Sequence, residues 1–219
     1  MISWLGERSK MEMKSQKELF YENGYLLLKN LSNVEKYQSI EVPYKEYSQD
    51  FVRGSIVEKE HQVPGSTAHY RDPQYKELYY EVKNKIEDVL ESKLYTTYYY
   101  DRFYYANQCL FPHTDRPACE ISVTMHLSSN INYLWPLGFT DPKTLEEKYV
   151  TMNPGDATLY LGCDIEHFRN SLKSRYNRRQ QLVRKLLRKK DDTYYHQIFF
   201  HYVLESGKYS HYAGDSGLN

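Results

Sequence analysis

The sequence predicts a mainly β protein with flanking helices (α+β), built on a double-stranded β-helix, or jelly-roll, core. Three observations carry that reading. A helical apolar pattern comes first, and many short strand patterns separated by turn residues follow it. The segment EISVTMHLS (120–128) alternates Ile121, Val123, Met125 and Leu127 with Glu120, Ser122, Thr124 and His126, the period of two of a half-buried strand. Tyrosine is over-used, at 24 residues against 8 Phe and 2 Trp, and aromatic rings favour a pleated surface.

Taken in order, residues 1–15 are polar and loosely ordered, and QKELFYEN (16–23) forms a short helix stopped by Gly24. YLLLKNL (25–31) is a short apolar run after a glycine and reads as a strand. Residues 32–73 are polar and irregular, with 61–73 as an extended loop. Pro73 suits a helix start, and over 74–92 Leu78, Val82, Ile86, Val89 and Leu90 give the stripe of a helix lying on a sheet. LYTTYYYDRFYYANQCLF, from Leu94, is one or two strands. NYLWPLGF, EKYVTM, DATLYLG and YHQIFFHYVL supply more, and Asn153-Pro154-Gly155-Asp156 is a turn, because proline presets one backbone angle and glycine tolerates the other. The 219 residues fit one domain: 1–93 as helical and strand support, 94–204 as the core, with a basic insertion at 170–194.

Composition narrows the function classes. Lys+Arg and Asp+Glu are 29 each, so no global field directs the chain to nucleic acid or membrane. Cys109, Cys119 and Cys163 contain no CxxC pair, which gives no disulfide framework and suits a reducing compartment. The opening MISWLGERSKMEMKSQKE lacks a signal-peptide core, and no run approaches about 18 apolar residues, so a cytoplasmic location without a membrane span is expected. Oligomeric state leaves no signal.

The chemistry concentrates in CLFPHTDRPACEISVTM. His113 and Asp115 sit two apart, and on an extended segment such residues point to one side. GDATLYLGCDIEHFRN offers His167 at a later strand end. Two imidazoles and one carboxylate on one face of an octahedron leave three positions open, the facial-triad arrangement that suits iron(II). The bland alternative is a loop hydrogen bond between His113 and Asp115, with His167 as a half-buried strand-end residue. Zinc would also accept three protein ligands, but the nearby carboxylate available as a general base, Glu166, points the other way on its strand.

PHTDR before an alternating strand, then PGDATLYLG and EH, resembles the prolyl 4-hydroxylase-like branch of the 2-oxoglutarate/iron dioxygenases; FYENGYLLLKN is similar to their entry segment. The resemblance covers residues 94–204 best. It implies iron(II), 2-oxoglutarate and O2, with ascorbate as a stimulant, and hydroxylation of a C–H bond with release of succinate and CO2. It implies His113, Asp115 and His167 as iron ligands, and Tyr104, nine residues before His113, as a hydrogen-bonding partner of 2-oxoglutarate. It also requires a cation for the distal carboxylate, since a buried carboxylate needs a partner and arginine gives two parallel bonds. Here the sequence departs from the family: the residue ten past His167 is Asn177. Arg169 is the first candidate for that anchor and Arg175 the second, with Gln197 as a neutral substitute. Asp115 separates the chain from the family's halogenases, which carry a small residue there. A prolyl peptide or amino acid is the expected substrate; a small metabolite or a nucleobase stays open. The alternatives are a jelly-roll metal- or ligand-binding module without turnover, and a nucleic-acid-directed demethylase of the same superfamily.

Arg116 is expected to pair with Glu120 or another carboxylate, and His126 to lie on the polar face of its strand rather than on the metal. KSRYNRRQQLVRKLLRKK (173–190) holds nine Lys or Arg, with Leu182, Val183, Leu186 and Leu187 on one helical face. It reads first as an amphipathic helix with a solvated basic face, and otherwise as a footprint for an acidic peptide or nucleic acid lying beside the metal.

Overall fold

The computed structural model describes residues 14–43, 55–56 and 62–217; residues 1–13 and His61, the first residue of the expected loop, lie outside them. Two facing antiparallel sheets form a jelly-roll. The larger has seven strands in the order β1 (Tyr25–Leu28), β9 (Ala157–Leu161), β6 (Ile121–Ser129), β11 (Tyr194–Leu204), β4 (Leu94–Tyr105), β3 (Thr67–Tyr70) and β2 (Ser55–Ile56). The smaller has four, β5 (Leu110–His113), β10 (Glu166–Arg169), β7 (Leu137–Thr140) and β8 (Glu147–Val150).

Among the described residues four α-helices accompany them: α1 (Gln16–Asn23), α2 (Glu35–Gln38), α3 (Lys76–Leu90) and α4 (Arg178–Leu186). Ser15 starts α1 with a capping box, its hydroxyl accepting from the Glu18 N–H while the Glu18 carboxylate accepts from its own. Asp72 caps the short turn at Pro73–Tyr75 that leads into α3. Leu78, Tyr79, Val82, Ile86 and Leu90 of α3 pack on the outer face of the large sheet, against Leu94, Tyr99, Val123, Ile198, Phe200 and Tyr202. A fully buried aliphatic side chain contributes roughly 1.5–3 kcal/mol there. Tyrosine joins that core because its hydroxyl finds backbone acceptors: Tyr79 donates to the His201 carbonyl and Tyr202 to the Tyr79 carbonyl, each at 2.8 Å.

The sequence reading of 120–128 needs correction. The strand is buried on both faces, not one. Ile121, Val123, Met125 and Leu127 meet the helices, whereas Ser122, Thr124 and His126 face the interior between the sheets and are buried too. There the polar residues bond each other: Gln197 Nε2 donates to Thr124 at 2.7 Å, and Ser122 bonds His201 Nδ1 at 3.0 Å. The expected 61–73 loop contains β3, and the 25–31 strand ends at Leu28.

Burial pushes the imidazoles of His126 and His201 down to about 4, from 6.5. Between those values the unfolded chain takes up protons that the folded chain refuses. Stability is therefore present above about 6.5 and is lost as the pH falls toward 4. Urea unfolding at about pH 7 and about pH 5 should show a loss of up to about 1.4 kcal/mol per pH unit for each histidine. Equal stability at the two pH values would mean that these imidazoles are not held neutral by burial.

Candidate metal centre and its anion-binding neighbours

Register brings the three candidate ligands together. His167 on β10 pairs directly with His113 on β5, and their rings lie 4.3 Å apart. Asp115 follows β5, its N–H donating to the Gly162 carbonyl at 2.7 Å. Nε2 of each histidine stands 3.7 Å from Asp115 Oδ1, and one ligand atom from each of the three residues lies within 4.8 Å of the others. A distance of 3.7 Å is too long for a hydrogen bond, so the loop bond offered as the bland alternative is not made.

The protonation states follow from the surroundings. His113 Nδ1 lies 2.8 Å from the Phe111 carbonyl and His167 Nδ1 lies 3.2 Å from the Ile165 carbonyl. A carbonyl can only accept, so each Nδ1 carries a hydrogen and each neutral ring turns its Nε2 lone pair inward. Burial pushes His167 down to about 4; burial and then the charge of His167 push His113 down as well. Asp115 is pushed up by burial, while Ser122 Oγ donates to its Oδ2 at 2.9 Å. Two neutral imidazoles and a carboxylate therefore face one point with no proton between them. That donor set fits a divalent transition metal, whose charge would reverse the cost of burying the carboxylate.

A second group of buried polar residues lies beside them. Strand alternation puts Arg169 two residues after His167, with a register shift between the two. The residue is 1 % exposed. Nη1 donates to the Trp135 carbonyl at 2.7 Å, but Nε and Nη2 have no hydrogen-bond partner. The group stacks on Trp135 and Tyr195, at 4.4 and 4.9 Å from their ring centres. Tyr104 packs edge-on against the same Trp135, and its hydroxyl accepts from Arg102 Nη1 at 3.1 Å, which leaves its hydrogen to donate. The Tyr195 hydroxyl and Gln197 Oε1 are also buried without a partner. A buried guanidinium that gives only one hydrogen bond to a backbone carbonyl, beside the Tyr195 and Tyr104 hydroxyls, fits a carboxylate.

Comparison with solved structures places this architecture. An oxygenase described as 2OG-Fe(II) family, from Burkholderia pseudomallei, superposes with a TM-score of 0.58 at 9% identity, over 85% of this chain and 88% of that one. A prolyl-4-hydroxylase from Pseudomonas putida gives 0.57 at 11%, over 84% and 94%. HygX from Streptomyces hygroscopicus, holding nickel, 2-oxoglutarate and hygromycin B, gives 0.58 at 13%, over 85% of each. This is the fold of the 2-oxoglutarate/iron(II) oxygenases. No protein-family model matches the sequence, and no curated protein does.

Within this oxygenase fold the remaining expectations divide. Arg175 is not at the site. It is exposed, pairs with Asp192 at 3.2 Å and bonds Tyr176, because the chain has left β10 for the surface by that point. Arg116 pairs with Asp215 rather than Glu120, which instead accepts from the Leu204 N–H. His126 points to the interior and bonds the Met152 carbonyl, away from the ligand cluster. Glu166 lies on the outward side of β10, bonded to Thr140. The basic insertion leaves the small sheet directly after Arg169. It returns through Tyr194, which pairs with Tyr105 at the far end of β4, whereas His201 pairs with Ser122 at the metal end of β6. Seven residues of strand, about 23 Å at 3.3 Å each, separate the two ends.

Sequence reasoning missed Arg102, Ser122, Gly162 and His201. Arg102 is fully buried, and its charge acts on His113, Asp115 and His201. A signal existed: Tyr98, Tyr100, Arg102 and Tyr104 alternate along β4, a cation on an otherwise aromatic face. Gly162 fits closely, since an added Cβ would lie 2.7 Å from both Asp115 Oδ2 and Ser122 Oγ and would collide with the Cys119 carbonyl. Gly162→Ala should therefore displace Asp115 and weaken cobalt(II) binding, followed by its absorption spectrum, by roughly tenfold or more. Unaltered affinity would show that Asp115 needs no such close support.

Proposed function

We propose that this chain is an iron(II)- and 2-oxoglutarate-dependent dioxygenase that hydroxylates a C–H bond, with His113, Asp115 and His167 holding the metal. The convergence of those three ligand atoms within 4.8 Å carries the reading. When bound, iron(II) with 2-oxoglutarate and O2 supplies the oxidising chemistry and yields succinate and CO2.

The chain's own residues bind, orient and shield. The Phe111 and Ile165 carbonyls keep the two imidazoles in the metal-facing tautomer, and Ser122 fixes the carboxylate. Arg169 would hold the distal carboxylate of 2-oxoglutarate, with the Tyr104 hydroxyl as a further donor. Trp135 and Tyr195 cover the guanidinium and exclude water, which strengthens that pairing. Asp115 fills the position a halogenase leaves open, so the ligand set favours hydroxylation.

For the substrate we propose a prolyl residue in a peptide or a free amino acid, on the resemblance of PHTDR and its following strand to prolyl 4-hydroxylases and on the likeness of fold to the Pseudomonas enzyme. The nucleic-acid reading loses its main support, since the basic segment lies at the other end of the barrel from the ligand cluster.

Two measurements test this. Anaerobically purified protein with iron(II), 2-oxoglutarate and ascorbate should release succinate on admission of O2, most with proline-containing peptides or amino acids, and His113→Ala should abolish it. Turnover equal in that variant would remove the proposal; metal and 2-oxoglutarate binding without succinate would make the protein a binding module. Separately, Arg169→Gln should raise the dissociation constant of 2-oxoglutarate by about ten- to a hundredfold by calorimetry, while Arg175→Gln leaves it unchanged.

A further inference from the structure

Helix α4 stands in solvent on nearly every side: of Arg178–Leu186 only Arg184 is half-buried, and the rest are exposed. Its polar contacts are with the chain that immediately flanks it: Gln181 Nε2 donates to the Tyr176 carbonyl at 2.7 Å, Arg184 Nε donates to the Lys190 carbonyl at 3.2 Å, and the Arg184 guanidinium lies 4.1 Å over the Tyr176 ring. Its apolar side faces water. Leu182, Val183, Leu186 and Leu187 are 61%, 53%, 75% and 61% exposed, and the helix buries no residue. The sequence pattern puts the basic face in solvent and the leucines against the core; the structure keeps the basic face in solvent but leaves the leucines exposed as well. Arg178 and Lys185 flank this apolar strip along one edge by helical spacing, Arg179 lies on the strip itself at its N-terminal end, and Arg188 and Lys189 follow at its C-terminal end. Residues 173–190 contain nine Lys or Arg and no acidic residue.

We propose that α4 docks the protein on the surface of an anionic lipid bilayer. The occupant must be apolar at its centre and negative around it. A phosphate backbone would take the cations but leave four apolar side chains in water. A second copy packed on the same strip by a two-fold axis would bring two basic rims together, which repel. An anionic bilayer meets both demands: the leucines enter the headgroup boundary while Arg and Lys stay with the phosphates. No helix among the described residues is long and apolar enough to cross a membrane, so the contact is with the surface. The strand register puts α4 at the end of the barrel away from the ligand cluster, so docking leaves the latter open. The proposal does not depend on the enzymatic reading.

The full chain should co-sediment with phosphatidylcholine vesicles containing about 30 % phosphatidylglycerol and stay in solution with phosphatidylcholine alone. Salt at about 0.5 M should weaken the binding. The double variant Leu182→Gln/Leu186→Gln should lower partitioning by roughly tenfold or more. Arg178→Gln/Lys185→Gln should lower it by roughly fivefold per charge. These side chains are exposed, so the variants should keep the parental circular dichroism and succinate release. The proposal is overturned by failure to bind the anionic vesicles. It is equally overturned by binding that ignores the leucine substitutions, as a purely electrostatic nucleic-acid site would, or by self-association that Leu186→Gln abolishes with no vesicle binding.

Discussion

A carboxylate facing two uncharged imidazoles across a half-buried gap is the constraint around which the rest of this structure is arranged. Left alone, Asp115 would be driven toward its neutral form, as burial already pushes its pKa up. The chain does not relieve that cost with a protonated histidine, because both rings spend their Nδ1 hydrogens on backbone carbonyls and burial keeps them neutral. The unmet requirement is a cation at the point where the three ligand atoms meet. The second requirement is an anion at Arg169, whose guanidinium is buried with two donors unused. A divalent metal with a chelating dicarboxylate meets both at once.

The scaffold makes these costs sustainable. The large sheet is anchored on its outer face by α1, α2 and α3, with aromatic rings stacking around Tyr79 at 4.8 to 5.9 Å. That apolar packing leaves the inner face free to carry Ser122, Thr124, His126, Arg102 and His201. Those polar residues weaken a core unless they bond one another, and several do. The small sheet then fixes the histidines in register, and Gly162 lets the Asp115 carboxylate approach the backbone of the neighbouring segment. Strand pairing sets the positions of His113, His167 and Arg169, while loops supply Asp115, Gly162, the Ile165 carbonyl and Trp135.

Much of this was legible in the sequence. The two-residue spacing of His113 and Asp115 gave their common side, but His167 lies not on the strand after Asn153-Pro154-Gly155-Asp156, which is β9 of the large sheet, but on the next strand, β10 of the small sheet. What failed did so for identifiable reasons. Alternation of polar and apolar residues cannot distinguish a face turned to water from a face turned to a polar cavity, so 120–128 read as half-buried when both faces are covered. Arg102 was hidden in a tyrosine run, because a buried cation and an exposed one look alike in one dimension. Arg175 is close to His167 in sequence, but the chain leaves the barrel between them. The apolar positions of α4 implied a core contact, but the helix stands off the core and leaves them exposed.

The most direct test of the central claim is a crystal structure grown without oxygen in the presence of manganese(II), as a redox-inert stand-in for iron(II), and 2-oxoglutarate. The account requires an anomalous peak bounded by His113 Nε2, Asp115 Oδ1 and His167 Nε2, with the distal carboxylate seated on Arg169. A metal on the neighbouring Asp115–Cys119–His201 group instead, or a guanidinium still without an anion, would contradict it.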